Sequence, residues 1–351
     1  MQFSGLIASR MKLRDLHILM AVAQAGSMNK AAVVLNMTQP AVSRSIAELE
    51  RALGVSLLDR KAQGVSPTAY GRALLDGGTA VFDDLHQAVK NIEFLADPAA
   101  GEVRIGSGSV HAATFVSAVI ERLSQHYPRI VFHVVTVAES EVLHPELSER
   151  KVDLLITRRL GLFTREKFDF EILYDDSPVV VAGVQSPWVR RRRIALTEVV
   201  NETWLLPPPD RALGPIYLKA FRASGLDYPR TAVFTTDPAV RISLLATGRF
   251  ITIVPSSILS FSKRPDIKVL PIELQHAGVP IGIVTLKHRT LSPVAQLFIE
   301  AAREVATPLA KVKAKTGSDG GALLAELQLF TAGFGPGQNC VAPQYHVRFL
   351  G

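Results

Sequence analysis

At 351 residues, with 48% hydrophobic and 20% charged side chains, the chain has room for two or three globular domains and an ordinary globular composition. No apolar run reaches the roughly 18 residues a membrane helix needs, and no basic-then-apolar leader points to secretion, so a cytoplasmic protein without a membrane partner is expected. The single cysteine, Cys340, excludes an intrachain disulfide and a multi-cysteine metal site, and the net charge of +7 is compatible with nucleic acid without proving it.

Residues 1–10 carry no pattern and read as a disordered leader or a misassigned start. Leu13 to Ala25 has helical spacing, with Leu16, Leu19, Met20 and Ala23 facing inward, and Gly26 ends it. Ser27 is placed to cap a second helix whose close-packing face is Ala31, Ala32, Val34 and Leu35; Asn36 tolerates the left-handed conformation that stops it. Thr38 then caps a third helix, with Pro40 in the first turn, where a missing N–H costs little.

In that third helix Val42, Ile46, Leu49 and Leu53 form one apolar stripe. Pro40, Arg44, Ala47 and Arg51 point away from it, with Gln39 and Ser43 on its shoulder. Glutamine pairs bidentately with adenine, serine with either base type, and arginine with guanine or phosphate, so this face suits a major groove. Two tightly joined helices with that chemistry make a helix-turn-helix, although any small helical domain also has capped amphipathic helices.

The run AAVVLNMTQPAVSRSIAELERALGVSLLDR, followed by GVSPTAYG, resembles the DNA-binding domain of LysR-type transcriptional regulators over its whole length. The resemblance rests on Ala31-Ala32, Leu35, the run Gln39 to Arg44, Ile46, Leu49-Glu50, Leu53-Gly54, Leu57, Arg60, Thr68 and Gly71. It implies a winged helix-turn-helix over 11–70, with Ser27, Thr38, Gln39, Pro40, Ser43, Arg44, Arg60 and Lys61 at DNA. Val55 to Leu58 and Val65 to Thr68 read as the two wing strands, joined by Asp59 to Gly64. The family often has an arginine three positions after the one Arg60 matches; here Gln63 stands there, and Lys61 is the nearest replacement cation.

From Ala69 to Ala96 the pattern is one long helix. Leu74, Gly78, Val81, Leu85, Ala88, Ile92 and Leu95 follow heptad intervals, predicting a partner helix, hence dimerisation through 71–96, with Gly77-Gly78 allowing a bend. The alternative is a helix packed on its own domain; the expectation of a closed core within 11–70 favours the partner. Asp97 to Gly101 is a linker. Beyond it strands alternate with helical patterns: Val103–Ile105, a helix opened by Ser107-Gly108-Ser109 and running to Gln125, Val131–Val137, Val152–Thr157, Pro178–Val184, Thr203–Leu206, a helix from Pro238 to Ala246, Phe250–Val254, Ile281–Leu286 and a helix from Pro293 to Ala306. The layout, with RKVDLLI at 150–156 and GRFITIVP at 248–255, resembles the effector domain of the same regulators. This implies a two-lobed α/β fold similar to type 2 periplasmic binding proteins over 102–308, lobe I at about 102–173 and 275–308, lobe II at about 174–274. The tail, 309–351, loses periodicity.

Ligands of open α/β sheets bind beyond the carboxyl ends of strands. Ser107, Ser109, Ser140, Arg158 and Thr236 fall at such ends, where each serine also reads as an ordinary cap; the resemblance implies that the loop around Ser109, Ser140 and the region of Thr236 line the effector cleft, and the arginine and the helix start near Ser109 favour an anion: a carboxylate, phosphate or sugar acid. Arg159 is a further cation there, and Arg190 to Arg193 reads as a solvated helix end. His111, His126, His133 and His144 lack metal-ligand spacing, and neither a catalytic constellation nor a cofactor motif is present. The expected function is therefore a non-enzymatic regulator that needs no cofactor, binds an operator as a homodimer or homotetramer, meets RNA polymerase at its promoters and responds to a small anionic metabolite. A solute-binding transport component would carry an export signal and no DNA-binding head.

Overall fold

The computed structural model describes residues 11–61, 64–137, 145–159, 166–210, 213–261, 265–274 and 278–315. These residues divide into two compact units: one comprises the described residues up to 101 with two short later segments, 148–151 and 288–293, and the other holds the remaining described residues.

The first unit begins with α1 (Leu13–Ala25), α2 (Met28–Val34) and α3 (Gln39–Leu53). Gly26 at φ 61°, Asn36 at φ 51° and Gly54 at φ 71° supply the left-handed residues after the three helices. The inward face of α1 is Leu16, Ile18, Leu19 and Val22 rather than one that includes Met20 and Ala23, which only pack at its edge or are half-buried. On α2 the buried stripe is Met28, Ala31 and Ala32, continued by Leu35, and Val34 is 74% exposed. At about 100° per residue, Val34 falls about 110° round the helix from the centre of that stripe, on the side facing solvent. The stripe of α3 contains Ser45 as well as Val42, Ile46 and Leu49; its hydroxyl donates to Asp15 Oδ1 at 2.6 Å, which lets a polar group sit in the core.

The wing strands β1 (Leu58–Lys61) and β2 (Gly64–Pro67) begin three residues later and one earlier than the sequence pattern suggests, with Arg60 opposite Val65 and Lys61 opposite Gly64. The cause is Glu50. Its Oε1 accepts the N–H groups of Leu57 at 2.7 Å and Leu58 at 3.2 Å, holding the chain out of the ladder until Leu58. Gln63 lies outside the described residues.

α4 (Ala69–Ala96) is one 28-residue helix, capped by Thr68, whose Oγ1 accepts from Gly71 N–H at 3.0 Å. Its first half packs on the head: Leu74, Leu75 and Phe82 join the core of the three helices, and Gly78 lies against Leu16. The head core is therefore not closed by residues 11–70 alone. Beyond that point Val81, Leu85, Val89, Ile92 and Leu95 are 41–77% exposed.

The second unit holds two five-stranded sheets. The first is ordered β4 (Arg129–Thr136), β3 (Ala100–Ser107), β5 (Leu154–Arg158), β12 (Val279–Leu286), β6 (Phe168–Asp176). The second is β11 (Ile267–Val269), β7 (Pro178–Gly183), β10 (Ile251–Pro255), β8 (Trp204–Leu206), β9 (Thr231–Phe234). The chain passes between sheets at 176–178 and returns between 269 and 279. β5 and β12 are antiparallel neighbours, pairing Arg158 with Ile281 and Leu155 with Val284.

The helical stretch after β3 runs from Ser109 to His126 as α5 (Ser109–His111), a π-helical turn (Ala112–Val116) and α6 (Ser117–His126). α7 (Pro145–Ser148) precedes β5, and α8 (Leu196–Val199) precedes β8. α9 (Gly214–Ala223), α10 (Pro238–Leu245) and α11 (Ser257–Phe261) flank the second sheet. α12 (Pro293–Lys315) continues past residue 306 through Pro308, so helix extends into the stretch expected to be without periodicity. Two forked ion pairs, Arg122 with Glu304 and Arg303 with Glu171, fasten α12 to α6 and β6. Among the described residues no helix is long and apolar enough to cross a membrane.

Candidate nucleic-acid interface and effector cleft

Ser27 caps α2, its Oγ accepting from Lys30 N–H at 3.5 Å. Thr38 occupies the cap position of α3 with extended backbone, but its side chain makes no capping bond, contrary to the sequence expectation. Pro40 removes one of the two N–H groups a cap side chain would reach, and Ala41 N–H, the other, already donates to the Thr38 carbonyl at 3.0 Å. The Thr38 side chain is left exposed beside exposed Gln39, Pro40 and Arg44, with Ser43 half-buried. Arg60 and Lys61 are exposed on β1. The helix start and the wing strand thus present amide, hydroxyl and guanidinium groups to solvent, with no acidic residue in the first turn of α3.

In the second unit a recess between the two sheets opens at their strand ends, with about 260 Å³ of open space including what faces solvent. Arg158 at the end of β5 and Asp176 at the end of β6 are its charged walls; Pro178, Leu213, Ile216, Tyr217, Pro255 and Val279 are its other walls. Asp176 reaches from the first sheet to the start of α11. It accepts from Ser256 Oγ at 3.1 Å, Ser257 N–H at 3.1 Å and Ser257 Oγ at 2.5 Å. Burial pushes the Asp176 carboxyl up, against the serine hydrogen bonds and the Arg158 charge. His111 Nε2 lies 3.9 Å from Asp176, and burial followed by the Arg158 charge holds that imidazole well below its ordinary range. Burial, then the Asp176 charge, raises the Tyr174 hydroxyl.

Of the five sequence-predicted effector residues, Arg158 lines this recess. Ser107 is fully buried and donates to the Ile156 carbonyl at 3.0 Å and the Gly108 carbonyl at 3.3 Å. Ser109 is exposed at the start of the helix after β3, and Thr236 is exposed ahead of α10. The Asp237 carboxylate already accepts Ala239 and Val240 N–H there, so the helix start beside Thr236 carries its own anion. Ser140 lies outside the described residues. Arg159 is exposed over the Phe170 ring at 5.7 Å, and Arg190 to Arg193 lie exposed at a short 3-10 turn, Arg191 paired with Glu198. Sequence reading missed Asp176, whose one visible signal is an acidic residue immediately before a sheet-to-sheet crossing.

Residues 13–72 match the family model for the bacterial regulatory helix-turn-helix protein of the lysR family, and residues 96–307 match the LysR substrate binding domain. The chain belongs to the LysR family of transcriptional regulators. These are DNA-binding proteins with a substrate-binding domain, not enzymes. Relatives include the HTH-type transcriptional regulator GbpR of Azospirillum brasilense, 28% identical over 299 residues, covering 85% of this chain and 87% of that protein. PcaQ of Agrobacterium fabrum is 26% identical over 305 residues, covering 87% and 98%. Among solved structures, a full-length OxyR variant from Pseudomonas aeruginosa superposes with a TM-score of 0.59 at 19% identity, covering 84% of this chain and 95% of its own. The LysR family regulator CbnR superposes at 0.56 and 21%, covering 85% and 100%. These two likenesses establish the fold: a winged helix-turn-helix, a long helix and a two-lobed α/β domain.

Proposed function

We infer that this LysR-type regulator binds its operator as a homodimer or higher homo-oligomer and changes its transcriptional output, through RNA polymerase, when a small anion occupies the recess between the two sheets. It acts in the cytoplasm, where a bacterial operator lies. The observation that carries the ligand reading is Arg158, a 4% exposed arginine set at a strand end in an otherwise largely apolar recess. A buried guanidinium favours a carboxylate, which it can hold through two parallel hydrogen bonds. Leu213, Ile216, Val279 and the two prolines offer carbon to the rest of the ligand. A compact monocarboxylate with an apolar body fits these walls better than a sugar acid, whose hydroxyls would be stripped of water without replacement.

Gln39, Pro40, Ser43 and Arg44 are read as the groove-facing set, with Ser27, Thr38, Arg60 and Lys61 on the phosphate backbone. Two heads would then meet half-sites about 34 Å apart, or a multiple, on one face of the duplex. The test pairs binding-site selection from random DNA with calorimetry of the full chain against aromatic and branched monocarboxylates and sugar acids. Selection of a two-fold sequence, and binding of an apolar monocarboxylate that Arg158→Met abolishes, support the reading. Sugar acids that bind Arg158→Met and the unaltered chain equally would overturn the ligand assignment.

A further inference from the structure

The first unit contains a buried charge cluster that DNA contact does not require. On α4 the Asp83 carboxylate is gripped by Arg289 through a fork: Nε to Oδ2 at 2.8 Å and Nη2 to Oδ1 at 2.9 Å. Arg150 Nη1 adds a third bond to Oδ2 at 2.5 Å and lies 3.8 Å from Asp84. The three side chains, Asp83, Arg150 and Arg289, are 11%, 13% and 1% exposed. Burial alone would raise the Asp83 carboxyl, but Arg289 and then Arg150 hold it below its usual range, so it stays ionised.

The backbone adds an independent observation. Among the described residues three non-glycine residues have positive φ, and two belong to this cluster: Arg150 itself and His288, next to Arg289, both at 58°. Side-chain-bearing residues seldom adopt that conformation, and it persists where the surroundings enforce it. Asp83 also begins a stripe of polar residues on α4 at helical spacing, continued by Gln87 and Lys90, which are 1% and 8% exposed.

Chain connectivity gives the cluster its interest. Arg150 stands four residues before β5, and Arg289 three after β12. These strands are hydrogen-bonded neighbours, and their other ends carry Arg158 and Val279, which line the recess. The recess is thus at one end of the strand pair, and both clamp arginines follow from the other.

We propose that Asp83, Arg150 and Arg289 form an electrostatic latch that sets the position of the long helix and through which occupancy of the recess alters how the paired heads lie on DNA. The proposal rests on the regulatory reading above. Charge-assisted hydrogen bonds are short and directional, so a displacement of about 1 Å abolishes the fork rather than weakening it gradually. That makes the latch a two-setting element. A ligand shifts it only by binding one setting more tightly.

The test uses the full chain and a DNA fragment recovered with it by binding-site selection. Asp83→Asn keeps the shape and removes the charge; a charge exchange, Asp83→Arg with Arg289→Asp, restores one acid between two arginines. Arg289→Lys keeps the charge without the fork and serves if Asp83→Asn fails to fold. Expected for Asp83→Asn are an affinity within threefold of the unaltered chain, a changed footprint length and bend angle, and at least tenfold faster amide exchange over residues 80–96. The exchanged pair should restore the original footprint and exchange. An unchanged footprint and bend would overturn the latch, as would a tenfold loss of affinity with the footprint preserved, which marks Asp83 as part of the head's fold. If no fragment is selected, the regulatory reading itself fails, and unchanged exchange in Asp83→Asn still rejects the latch.

Discussion

Two glycines six residues apart on α4 should respond to alanine with opposite signs. Gly71 sits in the first turn, where an added Cβ would lie 2.0 Å from the Leu57 carbonyl oxygen and 3.0 Å from its carbon. Real Cβ atoms keep at least 3.0 Å, so α4 and the start of the wing must part by about 1 Å. Neither side is free to move. The Leu57 carbonyl accepts Thr68 N–H at 2.9 Å, Leu57 N–H donates to Glu50, and Gly71 N–H donates to the Thr68 hydroxyl. Overpacking of about 1–3 kcal/mol, with about 1 kcal/mol more for a strained hydrogen bond, exceeds the helix-propensity gain of about 1 kcal/mol. Gly71→Ala should therefore destabilise the head by about 1–3 kcal/mol. At Gly77 a Cβ meets nothing within 4 Å, so Gly77→Ala should stabilise by about 0.5–1 kcal/mol. Urea unfolding of the full chain, with amide exchange on α1 to α3 to locate the change, measures both. A Gly71→Ala protein as stable as the unaltered chain would refute the packing argument.

Four further outcomes are expected. Gln39→Ala with Ser43→Ala should relax sequence preference in binding-site selection, and unchanged preference would remove both from the groove-facing set. Arg60→Ala should weaken binding across sequences and lower the salt slope by about one, read from affinities between 50 and 200 mM salt, about the range over which phosphate contacts are distinguished. The folded chain holds His111 neutral well below the ordinary value of 6.5, through burial first and the Arg158 charge second. Its contribution to stability is fully present above that value and lost as pH falls below it, because the unfolded chain then takes up a proton the folded chain refuses. His111→Gln should flatten the decline in unfolding midpoint below about pH 6.5, and equal slopes would rule the residue out. Leu85→Asp should leave the head folded and lower the oligomeric state in light scattering, since that side chain is 46% exposed within one chain.

Local chemistry made much of the fold legible. Gly26, Asn36 and Gly54 mark where the first three helices stop because each takes positive φ, and the sequence alone shows that they can. Apolar runs such as those at 152–157 and 250–254 become buried strands for the same reason of composition. What the sequence concealed depends on partners distant along it. Ser45 reads as a surface residue until Asp15 is beside it, and Glu50 reads as a solvated carboxylate until two wing amides converge on it. Asp176 meets Ser256 and Ser257 eighty residues on, and Asp83 meets Arg289 across 206 residues. Spacing along the chain carries no trace of such pairs. The lining of the recess is the least legible part for this reason: strand ends are recognisable, but the side chains that line one recess are set by the crossing of two sheets. Arg158 was visible as a cation at a strand end; its companions Pro178, Leu213 and Pro255 had nothing to distinguish them.

The heptad pattern on α4 bears the same comparison, made from the helix geometry. An interval of two residues turns an α-helix by about 200°, so Asp83 and Leu85 lie on nearly opposite faces. The Asp83, Gln87, Lys90 face is polar and buried within one chain, while the Val81, Leu85, Ile92, Leu95 face is apolar and exposed. A helix packed solely on its own domain shows the reverse arrangement. Leu74 and Gly78 begin the same heptad but lie on the head, so only the later repeats are available to another copy. The proposed pairing therefore uses the half of the helix farther from the head, and the charge cluster lies on its back. In the proposed latch, a shift in that cluster rotates or slides the pairing face, while Gln39 and Ser43 of α3 are no part of the cluster. Ligand response and DNA sequence preference should consequently separate by mutation: changes at Asp83 alter the first, changes at Gln39 and Ser43 the second.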